Sequence, residues 1–281
     1  MTVPNYLVIG APKCGTTSVC DLLGSHPDVF MSDPKEPHYF GRDDPAKTWD
    51  WYLSLFRQAG TASAIGEGST SYTHPDLLPG VAAHVASRLP ESRLVYVVRH
   101  PVKRLESDWK MRAREGWAAA SFHDSVRQQK SLVGQGLYWK NIQPYLELFP
   151  RHRLMVVFLE DLTNDPTREL RRLFKHLGVD PDVSHADPET PRNRSADMRK
   201  DGRLARTLRG SPVFATLKSR LPSSVLRAGK ALLTQEKSEL TPDWDPALEA
   251  EVIDQFREDS AAFLALAGKP ADFWFSGADS P

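Results

Sequence analysis

Short, wholly apolar runs alternate along the chain with longer stretches in which apolar residues return every three or four positions. That alternation sets the expected fold. Tyr6 to Gly10 (YLVIG) is a run of the first kind and predicts a buried strand. Arg93 to Arg99 (RLVYVVR) and Arg153 to Leu159 (RLMVVFL) predict two more, and Ala64 to Glu67 a shorter one. Helical spacing runs from Thr16 to Leu23, closed by Gly24 and Pro27, and returns over about 44–58, 75–88, 101–115, 121–131 and 138–148. A further helix is expected from Pro166 to Leu177, stopped by Gly178, and an amphipathic one over about 246–267. Strands without polar alternation are buried on both faces, and helices between them imply parallel pairing. The expected class is therefore α/β, a P-loop-like parallel sheet flanked by helices on both faces, in a single domain. Within it, 1–178 reads as a nucleotide-binding core and 179–245 as a loop-rich basic cap with many Pro, Ser, Arg and Lys. Residues 246–281 read as a C-terminal helix and tail.

Composition narrows the partners. Hydrophobic residues make up 40% and charged residues 26%, a globular balance that argues against wholesale disorder. The 36 basic residues are matched by 36 acidic ones, so a broad nucleic-acid surface is not expected, while a local basic pocket remains open. The two cysteines, Cys14 and Cys20, form no disulfide framework and no Cys/His cluster, so no metal is expected. Reduced thiols and a start without a basic, apolar leader point to the cytoplasm. No stretch approaches the roughly 20 apolar residues of a membrane span.

Two segments carry chemistry. Gly10-Ala-Pro-Lys13-Cys-Gly15-Thr16-Thr17-Ser18 follows a strand and opens a helix. Free backbone N–H groups and the positive helix end make such a turn an anion site, with Lys13 adding charge and three hydroxyls adding donors. It is not a Walker loop. Where that motif has lysine directly after its second glycine, this chain has Thr16. The strand expected to end in a Mg²⁺-binding acid ends in Arg99 instead. The second segment is Arg99-His-Pro101-Val-Lys-Arg104-Leu-Glu-Ser107-Asp-Trp109. Pro101 suits the first turn of a helix, which puts Arg99 at a strand's carboxyl end and Ser107 two turns on. A guanidinium and a hydroxyl there suit one phosphate.

PKxGTTS after the first strand, with RxPxxRxxSxW after a later one, resembles the sulfotransferases that use 3′-phosphoadenosine 5′-phosphosulfate (PAPS) and release 3′,5′-ADP. The likeness covers roughly residues 5 to 178. It implies that Lys13, Gly15, Thr16, Thr17 and Ser18 hold the 5′-phosphosulfate and that Arg99 and Ser107 hold the 3′-phosphate. Lys35-Glu36-Pro37-His38-Tyr39-Phe40 is similar to a segment of the heparan sulfate branch and its bacterial relatives, in which the glutamate is the general base. Glu36 and His38 both stay open for that role, since other branches use a histidine. Glu67 to Tyr72 resembles a segment in which the family carries a lysine where this chain has Gly68, so a lysine contact to the acceptor is in doubt. By the same likeness, the basic stretch Arg192 to Arg203 would cover the cofactor. A P-loop kinase or NTPase and a non-catalytic nucleotide binder are the competing readings. The expected acceptor is a small molecule, a glycan or a lipid; acceptor identity and oligomeric state are not written in the sequence.

Overall fold

The structure is a computed structural model that describes residues 2–41, 44–182 and 240–275. Five strands make one fully parallel sheet: β1 (Tyr6–Gly10), β2 (Val29–Met31), β3 (Ala64–Gly68), β4 (Arg93–Val98) and β5 (Leu154–Phe158), in the order β2-β3-β1-β4-β5. All residues of β1, β3 and β5 are buried, as expected of strands covered on both faces. Tyr6 pairs with Gly66 on one side and Arg93 on the other, and Leu94 pairs with Leu154.

The helices are α1 (Thr16–Gly24), α2 (Trp49–Ser54), α3 (Val81–Arg88), α4 (Pro101–Arg114), α5 (Phe122–Gln128), α6 (Lys130–Gly134), α7 (Tyr138–Leu148), α8 (Leu159–Asn164), α9 (Pro166–Leu177) and α10 (Pro246–Leu266). α1 and α9 pack against each other, and α7 packs against both α3 and α10. The chain leaves β1 toward β3 and β2, then crosses back to β4. That reversal places the switch point, and hence the ligand crevice, beyond the carboxyl ends of β1 and β4.

Several expected boundaries move, each for a local reason. The helix foreseen over 44–58 is confined to α2, because Thr48 caps it by accepting from the Trp51 amide at 3.1 Å. The one foreseen over 75–88 starts at Val81, after a Pro-bracketed turn ending in Gly80 at φ 84°. The one foreseen over 121–131 breaks at Gln129 into α5 and α6. β2 and α8 were not foreseen. The first is only three residues long, and the second begins at the residue taken as the end of a strand. The described residues up to 182 and from 242 to 275 belong to one compact unit. Most of the proposed 179–245 cap, including the basic stretch 192–203, lies outside the described residues. Among the described residues no helix is long and apolar enough to cross a membrane.

Candidate active site

The turn from Gly10 to Ser18 joins β1 to α1 directly. Gly15 stands at the N-cap of α1 with φ 88°, no side chain caps the helix start, and no acid sits in its first turn. The first amides of α1 thus have neither a side-chain cap nor a carboxylate in the first turn beside them. A Cβ at Gly15 would lie 2.8 Å from Leu159 Cδ1, so the loop closes against the start of α8 only because this residue is glycine. Thr16 is buried, Lys13 is half-buried, and Thr17 and Ser18 are exposed.

Arg99 follows β4 directly, and Ser107 lies on α4; both are half-buried. The loop and Arg99 occupy neighbouring strand ends, with Gly10 beside Tyr96 and the Ala11 amide donating to Val97 O at 2.7 Å. Tyr138, which the sequence did not flag, ties them together. Its hydroxyl donates to Arg99 O at 2.7 Å and lies 3.4 Å from Cys14 Sγ inside the loop. Burial pushes the Cys14 thiol up to about 12, so this cysteine is a packing group and not a nucleophile. Arg104 of the same motif is not a ligand residue. It is fully buried and bonds Asp108 Oδ2 at 3.3 Å, Gln135 Oε1 at 3.2 Å and Leu132 O.

The Lys35–His38 segment comes back from the sheet edge over the end of β3. Tyr39 and Phe40 anchor it, Tyr39 stacking on Tyr52 with ring centroids 4.6 Å apart. Glu36 Oε1 accepts from Lys35 Nζ at 2.8 Å, and its Oε2 lies 3.3 Å from His38 Nε2. Burial alone would raise the Glu36 carboxyl. Its hydrogen bonds to His38 and Lys35, with the Lys35 charge, outweigh that and hold it at about 2. His38 Nδ1 meets Ser71 Oγ at 2.8 Å, and the His38 amide donates to Ser69 Oγ at 3.1 Å. Among the described residues, three non-glycine residues have positive φ: Lys13 at 68°, Glu36 at 63° and His38 at 54°. Such conformations cost about 1–3 kcal/mol each and gather where geometry serves function.

Tyr72 is core, with 2% of its surface exposed. The doubt over Gly68 resolves against a lysine there. A Cβ would lie 2.6 Å from Cys20 Sγ and 3.4 Å from Val8 Cβ, leaving no room for a side chain. Glu67 beneath it is fully buried. Burial raises its carboxyl to about 7 despite bonds from Tyr72, Ser69 and Tyr52. Between about pH 4.5 and 7 the folded state therefore holds more protons at Glu67 than the unfolded chain, so this group lowers stability as pH rises through that window. Glu67→Gln should flatten that slope, read as the difference in urea midpoint between about pH 5 and about pH 7.5.

A strand-loop-helix turn beside the basic end of β4, with Glu36 and His38 on a loop by the end of β3, makes a candidate α/β group-transfer site. The sulfotransferase domain family model matches residues 4–262, and the chain belongs to the PAPS-dependent sulfotransferase family. Among curated proteins, the Mus musculus heparan sulfate glucosamine 3-O-sulfotransferase 3B1 is 30% identical over 186 residues, covering 63% of this chain and 46% of the relative. The Mus musculus bifunctional heparan sulfate N-deacetylase/N-sulfotransferase 3 is 27% identical over 209 residues, covering 67% of this chain and 24% of the relative. The chain thus spans between a quarter and half of these relatives' lengths. The fold is shared with a sulfotransferase from Alicyclobacillus acidocaldarius, at a TM-score of 0.69 and 22% identity over 98% of this chain and 100% of that one. A mouse sulfotransferase complexed with PAP gives 0.51 at 15% identity, over 94% and 88% of the two chains.

Proposed function

We propose that the chain moves a sulfuryl group from PAPS to an acceptor hydroxyl or amine by in-line displacement, with Glu36 as general base. The observation that carries this reading is the backbone strain at Lys13, Glu36 and His38. The three residues that the chemistry needs are the three held in left-handed conformations among the described residues. The helix start, Lys13, Thr17 and Ser18 would hold the 5′-phosphosulfate, and Arg99 with Ser107 the 3′-phosphate. The acceptor oxygen attacks sulfur while the bond from sulfur to the 5′-phosphate oxygen breaks. The acceptor's proton passes to Glu36, and Lys13 neutralises charge on the departing oxygen. A carboxyl held at about 2 is ionised at neutral pH. It is a weak base while Lys35 sits on it, so acceptor entry must draw Lys35 away from Glu36 Oε1.

The test is [³⁵S]PAPS transfer, without added Mg²⁺, to glucosaminyl oligosaccharides, phenols, sterols and hydroxylated lipids, with products resolved by mass. A labelled acceptor and 3′,5′-ADP are expected. Transfer of the γ-phosphate from [γ-³²P]ATP in a parallel assay with Mg²⁺, with none from PAPS, would establish the kinase reading instead. Tight 3′,5′-ADP binding with no transfer to any acceptor would establish a binding module.

Cofactor selectivity is checked without an acceptor. At a hundredfold over its Kd, 3′,5′-ADP should stabilise the fold by about 2.7 kcal/mol, seen as a raised Tm. Plain ADP should do far less, and Arg99→Ala should weaken 3′,5′-ADP binding by about 1.5–3 kcal/mol. Equal shifts with the two nucleotides would remove the role given to Arg99 and Ser107.

A further inference from the structure

The left-handed segment at Glu36 and His38 needs something to hold it, and what lies beneath it is a buried carboxylate. Glu67 ends β3 with no exposed surface. Ser69 Oγ donates to its Oε2 at 2.8 Å, and Tyr72 OH donates to its Oε1 at 2.6 Å. A third hydroxyl, that of Tyr52, donates to Oε1 at 3.4 Å. Each of the first two hydroxyls has spent its only proton on Glu67 and so turns a lone pair outward. Those lone pairs receive two alternate backbone amides of the acceptor segment. The His38 N–H reaches Ser69 Oγ at 3.1 Å, and the Phe40 N–H reaches Tyr72 OH at 3.4 Å. From the same turn, Ser71 meets the His38 ring at 2.8 Å and Thr70 donates to Glu36 Oε2 at 3.4 Å.

We infer that Glu67 is a positioning residue: ionised, it fixes Ser69 and Tyr72 as acceptors for the His38 and Phe40 amides and so sets Glu36 and His38 for proton transfer. The inference rests on the acceptor-side role proposed for those two residues. It predicts a protonation switch. A protonated Glu67 must donate its own hydrogen, and the nearest acceptors are the two hydroxyls that the amides use. One of those hydroxyls then accepts from Glu67 and must turn its own proton elsewhere, so the hydrogen-bond order beneath the His38 and Phe40 amides rearranges and the segment above is held differently. The groups facing Glu67 from the surrounding elements are Tyr6 on β1, Cys20 on α1, Tyr52 on α2, Tyr72 in the following turn, Tyr145 on α7 and Glu36. Burial raises the four tyrosines and the thiol well out of the neutral range, Cys20 to about 12. Glu36, at about 2, stays ionised. Within this cluster Glu67, at about 7, is the group that changes charge near neutrality.

The decisive measurement needs no acceptor. In ¹⁵N spectra of the whole chain, the His38 and Phe40 amides should titrate together, with the midpoint of the Glu67 side-chain carboxyl followed by ¹³C. In Glu67→Gln both amides should stop responding. His38→Gln should leave the Phe40 response in place, which separates Glu67 from titration of the imidazole. Amides that keep their titration in Glu67→Gln, or that never track the carboxyl, would overturn the inference. If Glu67→Gln does not fold, Ser69→Ala provides the test, since it should abolish the His38 response alone and retain that of Phe40. In single-turnover transfer to the acceptor found by the [³⁵S]PAPS panel, Ser69→Ala and Glu67→Gln should lose about tenfold to a hundredfold in rate. Their 3′,5′-ADP affinity should stay unchanged. The acid limb of the wild-type kcat/KM profile should vanish in Glu67→Gln. A normal rate in Glu67→Gln alongside a crippled Glu36→Gln sinks the positioning role alone. Normal rates in both sink the Glu36 assignment, while the amide titration still reports on Glu67.

Discussion

Glu36→Gln is expected to lower the single-turnover rate of sulfuryl transfer by about two to four decades while 3′,5′-ADP binding stays near wild type. The substitution keeps the side chain's size and its ability to accept from Lys35 Nζ at Oε1, so the local fold should survive. What it removes is the basic oxygen proposed to take the acceptor's proton. His38→Asn should cost less, because His38 meets Glu36 Oε2 and Ser71 Oγ through its two ring nitrogens and thereby orients the carboxylate. The rate must be that of the chemical step, hence single turnover. A near-normal Glu36→Gln with a crippled His38→Asn would reverse the assignment and make the histidine the base.

Asp108→Ala is expected to destabilise the fold by about 3–5 kcal/mol, more than Arg104→Met at the other end of the same pair. Both side chains are buried, Arg104 with no exposed surface and Asp108 with 1%. Removing Asp108 strands the guanidinium of Arg104, whose other partners are the neutral Gln135 and Leu132 O. Removing Arg104 leaves Asp108 still paired with Arg112 at 2.9 Å, and methionine refills the space with apolar atoms. Urea unfolding at neutral pH reads the difference. Equal losses would mean that packing around α4, and not charge, sets its stability. Because Ser107 lies between them on the same helix, Asp108→Ala should also weaken 3′,5′-ADP binding.

The apolar runs of β1, β4 and β5 and the glycine-bracketed anion loop could be read directly, because each is a local property. A strand buried on both faces has no polar alternation, and a glycine-bracketed turn between strand and helix is marked by its own residues. The segment 36–38 stood out in the sequence only by its likeness to known proteins. β2 was not, since three residues at a sheet edge are too few to show a period. α8 was hidden because its first residue continues the apolar run of β5.

What the sequence by itself determined was the kind of element at each place and the residues carrying charge or hydroxyls. Tertiary structure decided what each of them does. Arg99 and Arg104 lie five positions apart in one motif, yet one is half-buried just past β4 and the other is locked in the core with Asp108. Glu36 and Glu67 are both acids near the carboxyl edge, but one is held at about 2 by Lys35 and His38 and the other is raised to about 7 by burial. Tyr138 reads as one more helical aromatic until packing puts its hydroxyl between Cys14 and Arg99 O. The physical reason is common to all of these. Spacing along a chain reports which face is buried, whereas a hydrogen-bond partner or a shifted proton affinity depends on groups that only folding brings together. Ser69 and Ser71, for example, reach His38 across 31 and 33 residues of sequence.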